Sequence, residues 1–265
     1  MTASVFFAPE VLIQGHQVPL REVTPSGPPL VLGGDEGHHA VKVQRIRPGE
    51  RLDLVDGHGF RVVAQTAGTH QDGIEVQPVE VLQEMPRSPE LVLVQALVKG
   101  GRDEQAIETA TELGVDRVIP WQADRSVVRW SPQKVDRGVE RWEKVLTAAM
   151  KQSRRAFRPG LDRPVSSKRL ATDIGSWSDS GDLVLACHEE ATVPLAQILS
   201  SIASDGPIPS RVVILVGPEG GVSPDELSAF KEAGATPGLL GPEVLRSSTA
   251  GPAALVAANL YLGRW

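Results

Sequence analysis

The sequence predicts a small all-β domain followed by a larger α/β domain with a mostly parallel sheet. Residues 1–85 contain short alternating apolar runs separated by turn residues, a pattern typical of a small barrel or sandwich. From Leu91 onward, apolar strands alternate with helices, which is the pattern of repeated β-α units. Residues 212–216 are β-branched or aliphatic and uncharged, as expected of a strand buried on both faces. We therefore expect helices on both faces of this sheet.

In the first domain, turn residues divide the predicted strands. The strands cover residues 51–55, 60–64 and 74–82. Turns are expected at Pro48-Gly49, Asp56-Gly57-His58-Gly59, Ala67-Gly68 and Asp72-Gly73. One helical piece is predicted over residues 36–45, and residues 85–89 are the expected linker.

The second domain is predicted to alternate strands and helices up to its end. The strands are 91–98, 118–121, 183–187, 212–216 and 238–240, and the helices are 102–113, 134–154, 194–202, 223–233 and 249–262. Gly114 ends the first of these helices, and Ser223, Pro224 and Glu226 form the start signal of another. Residues 160–182 and 203–211 are the least patterned and are expected to be loops.

Composition excludes several classes of protein. The chain has 265 residues, of which 41% are apolar and 23% charged, as in a soluble globular protein. No segment approaches the roughly 20 apolar residues of a membrane span, and residues 1–10 show no signal-peptide pattern, so a cytoplasmic location is expected. The single cysteine, Cys187, excludes an internal disulfide and a cysteine metal cluster. His38 and His39 are adjacent and make a poor metal pair, and we expect no metal.

Two glycine-rich loops, each after an apolar run and before a helix, predict a backbone-lined pocket at the carboxyl ends of strands. Their sequences are Gly217-Pro218-Glu219-Gly220-Gly221 and Leu240-Gly241-Pro242-Glu243-Val244-Leu245-Arg246. The first has neither the lysine of a P-loop nor the spacing of a dinucleotide site. Arg246 offers a guanidinium that fits a phosphate or carboxylate, but the pattern alone fits a surface arginine equally well.

Basic residues gather in two segments, although the formal net charge is −6. Residues 38–51 contain four Lys/Arg and two His, and residues 151–169 contain seven Lys/Arg. Lys151, Arg155 and Arg158 are spaced by three or four residues and are expected on one helical face or at the exit of the helix. Such a face is usually only solvated, but together with Gln152 it also suits an RNA backbone.

These motifs resemble the RsmE family, bacterial SPOUT methyltransferases that modify N3 of a uridine in 16S ribosomal RNA. The resemblance spans nearly the whole chain and depends most on the two glycine loops. The supporting motifs are Thr111-Glu112-Leu113-Gly114-Val115, Asp124-Arg125-Ser126, Gln152-Ser153-Arg154-Arg155 and His39-Ala40-Val41-Lys42-Val43-Gln44-Arg45.

The resemblance implies a fold, a cofactor and partners. Residues 1–85 would be a PUA-like β-barrel, and residues 86–265 a SPOUT domain with a trefoil knot. The enzyme would act as a homodimer on 16S ribosomal RNA or the small ribosomal subunit. S-adenosyl-L-methionine would be bound by His188, Val216, Gly217, Glu219, Gly220, Gly221, Leu240, Gly241, Val244, Leu245 and Thr249. RNA would be held by His39, Lys42, Arg45, Lys99, Arg125, Gln152 and Arg155.

Methylation of N3 requires loss of its proton, and negative charge develops on the ring during attack. Arg246 is the expected catalytic residue because a nearby cation would stabilise this charge. The general base is left unassigned. Since N3 lies on the pairing edge of the base, the target uridine must be unpaired or splayed out of a stack.

Two positions depart from the family's pattern. Ser248 stands where relatives commonly have Glu, and Val5 stands where an Arg commonly precedes the aromatic pair Phe6-Phe7. The missing acid leaves open an alternative, an RNA-binding ribosome-assembly factor that keeps the fold without catalysis. A SPOUT methyltransferase acting on another RNA is a further alternative.

Overall fold

The computed structural model describes residues 3–205 and 207–265. The chain divides into two compact units. The first unit contains the residues up to Pro86 together with Met150–Arg158, and the second contains Arg87–Ala149 and Pro159–Trp265. A short basic segment from the middle of the chain therefore belongs to the first unit.

The first unit is built on a seven-stranded sheet, which confirms the all-β prediction for this part of the chain. The strands are β1 (Ser4–Phe7), β2 (Glu10–Ile13), β3 (His16–Pro19), β4 (Leu30–Gly33), β5 (Arg51–Val55), β6 (Phe60–His70) and β7 (Gly73–Gln83). Their order is β1-β5-β6-β7-β4-β2-β3, and only the β1–β5 pair is parallel. Alternate side chains such as Leu52, Leu54 and Val62 join Phe6 in the core.

A helical segment follows β4, as predicted. It consists of the short α-helix α1 (Gly34–His38) and one π-helical turn (His39–Val43). Ala40 is the fully buried residue of this turn and packs into the core of the first unit. The other helical element in the described residues up to Pro86 is a 3-10 turn at Leu20–Glu22.

The hairpin turns of the first unit confirm two predictions and contradict one. The predicted turns at residues 56–59 and at Asp72-Gly73 connect β5 with β6 and β6 with β7. The turn predicted at Ala67-Gly68 was wrong, because β6 continues through these residues. A register shift between Thr66 and Gly68 accommodates them as an irregularity of the β6–β7 ladder. A glycine inside a strand marks such a bulge as readily as a turn.

The segment Met150–Arg158 is attached to the first unit by several kinds of contact. Its backbone pairs with the β5–β6 turn, where the Gly59 N–H donates to the Ala156 carbonyl at 3.1 Å. Met150 and Ala156 are buried against Val5 and Val55. The attachment therefore combines main-chain hydrogen bonds with apolar packing.

The second unit contains a second seven-stranded sheet whose strand pairs are all parallel. The strands are β8 (Glu90–Ala96), β9 (Arg117–Gln122), β10 (Gly160–Leu161), β11 (Val165–Ser166), β12 (Leu183–Cys187), β13 (Arg211–Val216) and β14 (Thr236–Gly238). The main path runs β10-β9-β8-β13-β12-β14, and β11 pairs with β9. The predicted parallel sheet is thus confirmed.

Helices cover both faces of this sheet, as predicted. They are α2 (Arg102–Glu112), α3 (Val135–Gln152), α4 (Ser167–Asp179), α5 (Leu195–Asp205), α6 (Pro224–Glu232) and α7 (Ser247–Tyr261), with a 3-10 turn at Pro132–Lys134 before α3. Successive residues of β8 enter opposite cores: Leu91 and Leu93 pack with α2, α5 and α7, whereas Val92 and Val94 pack with α4 and α6.

The prediction that residues 160–182 form a loop was wrong. They contain β10, β11 and α4. Leu170 and Ile174 are spaced by four and are fully buried, but the many Ser, Asp and Gly residues around them hide this apolar face in the sequence. The loop predicted at 203–211 begins later, since α5 extends to Asp205; residue 206 lies outside the described residues.

The strand predicted at residues 238–240 lies two residues earlier, as β14. Pro237 obscured it, because proline cannot donate a ladder hydrogen bond and argues against a central strand. β14 lies at the edge of the sheet, where proline is tolerated. No helix in the described part of the chain is long and apolar enough to cross a membrane.

An ion-pair network joins the amino ends of β8, β9 and β13. The Glu90 carboxylate accepts hydrogen bonds from Arg211 at 2.8 Å and from Arg117 at 3.2 Å. Burial alone would raise the pKa of Glu90, but the two guanidinium groups outweigh it and the pKa is lowered from its ordinary value of 4.5.

We expect Glu90→Gln to lower the free energy of unfolding at pH 7 by about 1 kcal/mol. Because the folded-state pKa is depressed, the contribution is present above the unfolded pKa and is lost as the pH falls through the lower folded-state value. The difference between the variants should therefore shrink as the pH falls below 4.5. Urea unfolding at several pH values measures it. Glu112→Gln, at an exposed position, is the control, and an equal loss there would contradict the assignment.

Candidate active site

A cavity of about 430 Å³ lies at the carboxyl ends of β12 and β13. These strands are parallel neighbours, so the loops that leave them meet at the same edge of the sheet. Residues after β12, both glycine loops and the start of α7 line the cavity. The full lining is Arg102, Cys187, His188, Glu189, Val216, Gly217, Pro218, Glu219, Gly221, Val222, Leu239, Leu240, Gly241, Glu243, Val244, Leu245, Arg246, Ser247 and Ala250.

The first glycine loop is tightly turned. The Gly221 N–H donates to the Pro218 carbonyl at 2.9 Å, and Gly221 has a φ of +71°, which L side chains rarely adopt. A Cβ added to Gly217 would meet the Val222 side chain at 2.9 Å. The loop then enters α6 through the predicted capping box, in which Ser223 and Glu226 exchange hydrogen bonds.

The second glycine loop is held at both of its ends. Before it, the Leu239 N–H donates to the Val193 carbonyl at 2.9 Å, and the Leu195 N–H donates to the Leu239 carbonyl at 2.8 Å. After it, Arg246 is the N-cap of α7, and its carbonyl accepts hydrogen bonds from two N–H groups of the first turn. Between these ends the side chain of Val244 is 80% exposed. An apolar side chain this exposed beside a cavity is suited to contact a ligand.

The cavity combines both signs of charge. Glu219 lies 3.6 Å from Arg102, so these two charges are paired. Among the described residues, the Arg246 guanidinium makes no ion pair or hydrogen bond, which leaves it available to a ligand. Glu189 and Glu243 add two exposed carboxylates to the lining. In the described part of the chain no group of His, Cys, Asp or Glu is arranged to hold a metal ion.

The structure brings most of the predicted cofactor residues together. His188, Val216, Gly217, Glu219, Gly221, Leu240, Gly241, Val244, Leu245 and the predicted catalytic residue Arg246 all line the cavity. Gly220 and Thr249 do not. The Gly220 carbonyl instead accepts a hydrogen bond from Arg125 at 3.1 Å, and Thr249 is exposed on the first turn of α7.

The predicted RNA-binding residues are divided between the two units. His39, Lys42, Arg45, Gln152 and Arg155 belong to the first unit, and Lys99 and Arg125 belong to the second. Within the first unit, Lys151 forms an ion pair with Glu36 of α1, two residues before His38. This ion pair places Lys151, the first residue of the second basic segment, close to the start of the first basic segment.

Several lining residues escaped the sequence analysis. Cys187, Glu189, Val222 and Leu239 are chain neighbours of predicted residues, so their proximity was the available signal, while Pro218 and Glu243 belong to the two loops already predicted to line a pocket. Ser247 and Ala250 are likewise chain neighbours of the predicted residues Arg246 and Thr249, whereas Arg102 had no comparable signal as a cofactor contact. Arg102 comes from the start of α2 and is far from the glycine loops in the sequence.

Cys187 ends β12 and lines the cavity, and burial raises the pKa of its thiol to about 12. Since only the thiolate is nucleophilic, we expect alkylation by iodoacetamide at pH 8 to be about 10³-fold slower than for an ordinary cysteine. The rate should rise tenfold per pH unit between pH 7 and pH 10 without a plateau. Mass spectrometry of the alkylated protein measures this, and a plateau near pH 8.5 would contradict the raised pKa.

The chain is similar to known RNA methyltransferases over most of its length. A family model described as an RNA methyltransferase domain matches residues 86–259, and one described as an RNA methyltransferase PUA domain matches residues 32–78. Ribosomal RNA small subunit methyltransferase E of Mycobacterium tuberculosis is 42% identical over 242 residues, which cover 91% of this chain and 89% of that protein. The Bacillus subtilis protein of the same name is 31% identical over 84% of this chain and 86% of its own length.

Solved structures share the fold. A ribosomal RNA small subunit methyltransferase E from Neisseria gonorrhoeae, bound to S-adenosyl methionine, has a TM-score of 0.80 and 24% identity and covers 98% of both chains. A putative methyltransferase from Legionella pneumophila, in complex with the same cofactor, has a TM-score of 0.77 and 25% identity and also covers 98% of both chains.

Fold, site and family match together define an RNA methyltransferase with a PUA domain. The similarity to the mycobacterial and Bacillus proteins narrows this class. The chain belongs to the ribosomal RNA small subunit methyltransferase E family, RsmE, as the motifs of the sequence indicated.

Proposed function

We propose that this protein transfers a methyl group from S-adenosyl-L-methionine to N3 of a uridine in 16S ribosomal RNA. The observation that carries the proposal is the single cavity in which both glycine loops converge on the unpaired Arg246. The names of the relatives support the cofactor and the RNA class. The position N3 is supported by the resemblance of the motifs.

The residues present fit the cofactor. A cavity of about 430 Å³ lies in the range of small-molecule sites. Val216, Leu240 and Leu245 provide apolar walls for an adenine ring, while the glycine loops leave backbone groups accessible. Glu189 and Glu243 face the cavity with negative charge, which is favourable for a cationic ligand. When bound there, S-adenosyl-L-methionine supplies an activated methyl group on its sulfonium.

Arg246 has the features of a residue that acts on the RNA base. Its backbone is fixed as the N-cap of α7, whereas its side chain is exposed and free of protein partners in the described structure. The guanidinium stabilises the negative charge that develops on the uracil ring when N3 loses its proton. Orientation of the base against the donor supplies the other large part of the rate, because it makes the attack effectively unimolecular.

We propose residues 1–85 as a PUA-like β-barrel and residues 86–265 as a SPOUT domain that contains a trefoil knot. Both of the compact units described above contribute RNA contacts: His39, Lys42, Arg45, Gln152 and Arg155 from the first, which includes the segment Met150–Arg158, and Lys99 and Arg125 from the second. Contacts of this kind hold phosphates and give a salt-dependent affinity.

We also propose a cytoplasmic homodimer. Exposed apolar residues at the end of α7 support the dimer; they are Leu260, Tyr261 and Trp265.

The lining of the cavity favours an enzyme over a non-catalytic assembly factor, although Ser248 replaces the usual acid. Ser248 is half-buried in the first turn of α7 and does not line the cavity. The cavity retains Arg246, the group proposed to stabilise the charge on the ring, without an acid at position 248. Calorimetry with S-adenosyl-L-methionine discriminates the two functions, since a factor without catalysis would show no binding at millimolar donor.

The decisive experiment uses small ribosomal subunits and 16S RNA from a strain that lacks this gene. The purified protein is incubated with each substrate and with methyl-labelled donor, and the nucleosides are identified by mass spectrometry. We expect N3-methyluridine at one position. Label in another nucleoside or only in transfer RNA would replace the proposed substrate, and an absence of label would refute the activity.

A further inference from the structure

A buried hydrogen-bond chain connects the end of strand β8 with both glycine loops. Gln95 is fully buried, and its Nε2 amide donates to the Ser247 hydroxyl at 2.9 Å. The Ser247 hydroxyl in turn donates to the Gly217 carbonyl at 2.8 Å. Gly217 opens the first glycine loop, and Ser247 follows directly after Arg246 at the end of the second. One chain of two hydrogen bonds thus spans both walls of the cavity.

The direction of this chain is fixed by its chemistry. A serine hydroxyl has one proton, so Ser247 can donate to Gly217 only while it accepts from Gln95. The amide orientation is supported by a second acceptor, because Gln95 Nε2 also lies 3.3 Å from the Ala96 carbonyl. Reversal of the Gln95 amide would place its oxygen against the Ala96 carbonyl oxygen and would make it compete with the Gly217 carbonyl for the single Ser247 proton.

The Gln95 side chain is closely packed, and its amide oxygen has no hydrogen-bond partner among the described residues. Gly251 lies one turn after Ser247 on α7, and a Cβ added there would be 3.6 Å from Gln95 Oε1 and 3.0 Å from Leu93 Cδ1. Gln95 Oε1 has no hydrogen-bond partner among the described residues. A buried amide with an unpartnered oxygen costs stability, and an apolar residue of similar size would avoid that cost.

We propose that Gln95 and Ser247 are positioning residues, which hold the first glycine loop and the N-terminus of α7, with Arg246, in the arrangement that binds the methyl donor. The inference rests on the proposed function for the identity of the ligand. An apolar residue at position 95 would lose the hydrogen bond to Ser247. This hydrogen bond therefore gives the buried amide a role in the site. Neither residue needs to touch the reacting atoms.

The first test measures donor affinity by calorimetry. Gln95→Met and Ser247→Ala should each weaken binding of S-adenosyl-L-methionine about tenfold, the effect of one lost hydrogen bond in a fixed loop. Ser247→Thr, which keeps the hydroxyl, should recover most of the affinity lost in Ser247→Ala. The double variant should be little worse than either single one, because both remove the same chain.

The matched control is Asn259→Leu. Asn259 is another fully buried amide, farther along α7, and it donates to the Leu113 and Leu255 carbonyls rather than to a loop of the cavity. Its replacement should lower the melting temperature without changing donor affinity. If Gln95→Met and Ser247→Ala bind the donor as tightly as the wild type, or if Asn259→Leu weakens binding equally, the positioning role is overturned.

A pH profile gives a signature that a loss of packing would not produce. In Gln95→Glu the new carboxyl is buried without a cation, so its pKa is raised above the ordinary value. Below that raised pKa the protonated acid donates to Ser247 and restores the chain, and above it the carboxylate cannot donate. Donor affinity relative to wild type should therefore fall as the pH rises from 5 to 8. A constant ratio would contradict the role.

Amide hydrogen exchange of the ligand-free protein separates this inference from the proposed function. Gln95→Met and Ser247→Ala should accelerate exchange of residues 217–221, and Asn259→Leu should not. If the wild type fails to bind S-adenosyl-L-methionine, the proposed function is refuted while the exchange data still test the coupling. If the variants leave exchange at 217–221 unchanged, the coupling is refuted even when the wild type binds. If Gln95→Met fails to fold, the comparison of Ser247→Ala with Ser247→Thr is sufficient to test the positioning role.

Discussion

Replacement of Arg246 by alanine is expected to reduce methyl transfer about 10²- to 10³-fold, the effect of removing one preorganised charge-stabilising group. Donor affinity should change by less than about threefold, because a cationic sulfonium gains nothing from a guanidinium. Stability should be unaffected, since the side chain is exposed and makes no contact that supports the described fold. Single-turnover methylation of small-subunit RNA, with donor binding measured separately by calorimetry, tests this separation.

Two variants sharpen the Arg246 experiment. Arg246→Lys keeps the charge but loses the planar fork of donors, so it should recover only part of the rate. Arg102→Ala removes the other guanidinium of the cavity, which is already paired with Glu219, and should cost less than Arg246→Ala. Turnover of Arg246→Ala close to the wild-type rate would refute the catalytic assignment. A large loss of donor affinity would move Arg246 into the cofactor site instead.

Much of the fold was predictable because its signals are local. The strand Leu183–Cys187 is a continuous apolar run, and the capping box of α6 is contained in four consecutive residues. The nearly uninterrupted apolar runs of β8 and β13 likewise predict a sheet that is covered by helices on both faces. Each of these features depends on periodicity or on cap chemistry within a few residues.

The predictions that failed concern features whose signals in the sequence are weak or non-local. Helix α4 was hidden because its apolar face is narrow and its other residues are the small polar types of loops. The attachment of Met150–Arg158 to the first unit depends on contacts between residues roughly 100 apart in the chain, such as the hydrogen bond from Arg61 to the Arg154 carbonyl. No local pattern encodes a partner at that distance.

The site shows the same division. The glycine loops were identifiable as pocket walls because a strand, a glycine turn and a helix cap follow one another in the sequence. The chain from Gln95 through Ser247 to Gly217 was not identifiable, since Gln95 and Ser247 are 152 positions apart and a glutamine inside an apolar strand has no distinctive pattern. Sequence motifs therefore located the walls of the site, and the structure shows what links them.

Glu226 illustrates how a local motif acquires long-range partners, and its replacement by alanine should be strongly destabilising. The sequence predicted only its exchange of hydrogen bonds with Ser223. In the fold the buried carboxylate also accepts from the Asp124 N–H at 2.7 Å and from the Ser167 hydroxyl. We expect Glu226→Ala to lower the free energy of unfolding by about 3 kcal/mol or more, because buried donors lose their acceptor.

Thermal unfolding measures this loss as a decrease of roughly 6–12 °C in the melting temperature. Ser223→Ala removes the cap while leaving Glu226 in place, and should cost only about 1 kcal/mol. Glu232→Ala is the matched control on the same helix. Glu232 is exposed and, within the described residues, its carboxylate accepts only from Ser228, so the change should alter stability by less than about 0.5 kcal/mol. If Glu226→Ala costs no more than Ser223→Ala, the carboxylate serves only the cap. A larger cost means that it also holds the Asp124–Arg125 loop, and through the hydrogen bond from Arg125 to the Gly220 carbonyl it then supports the first glycine loop.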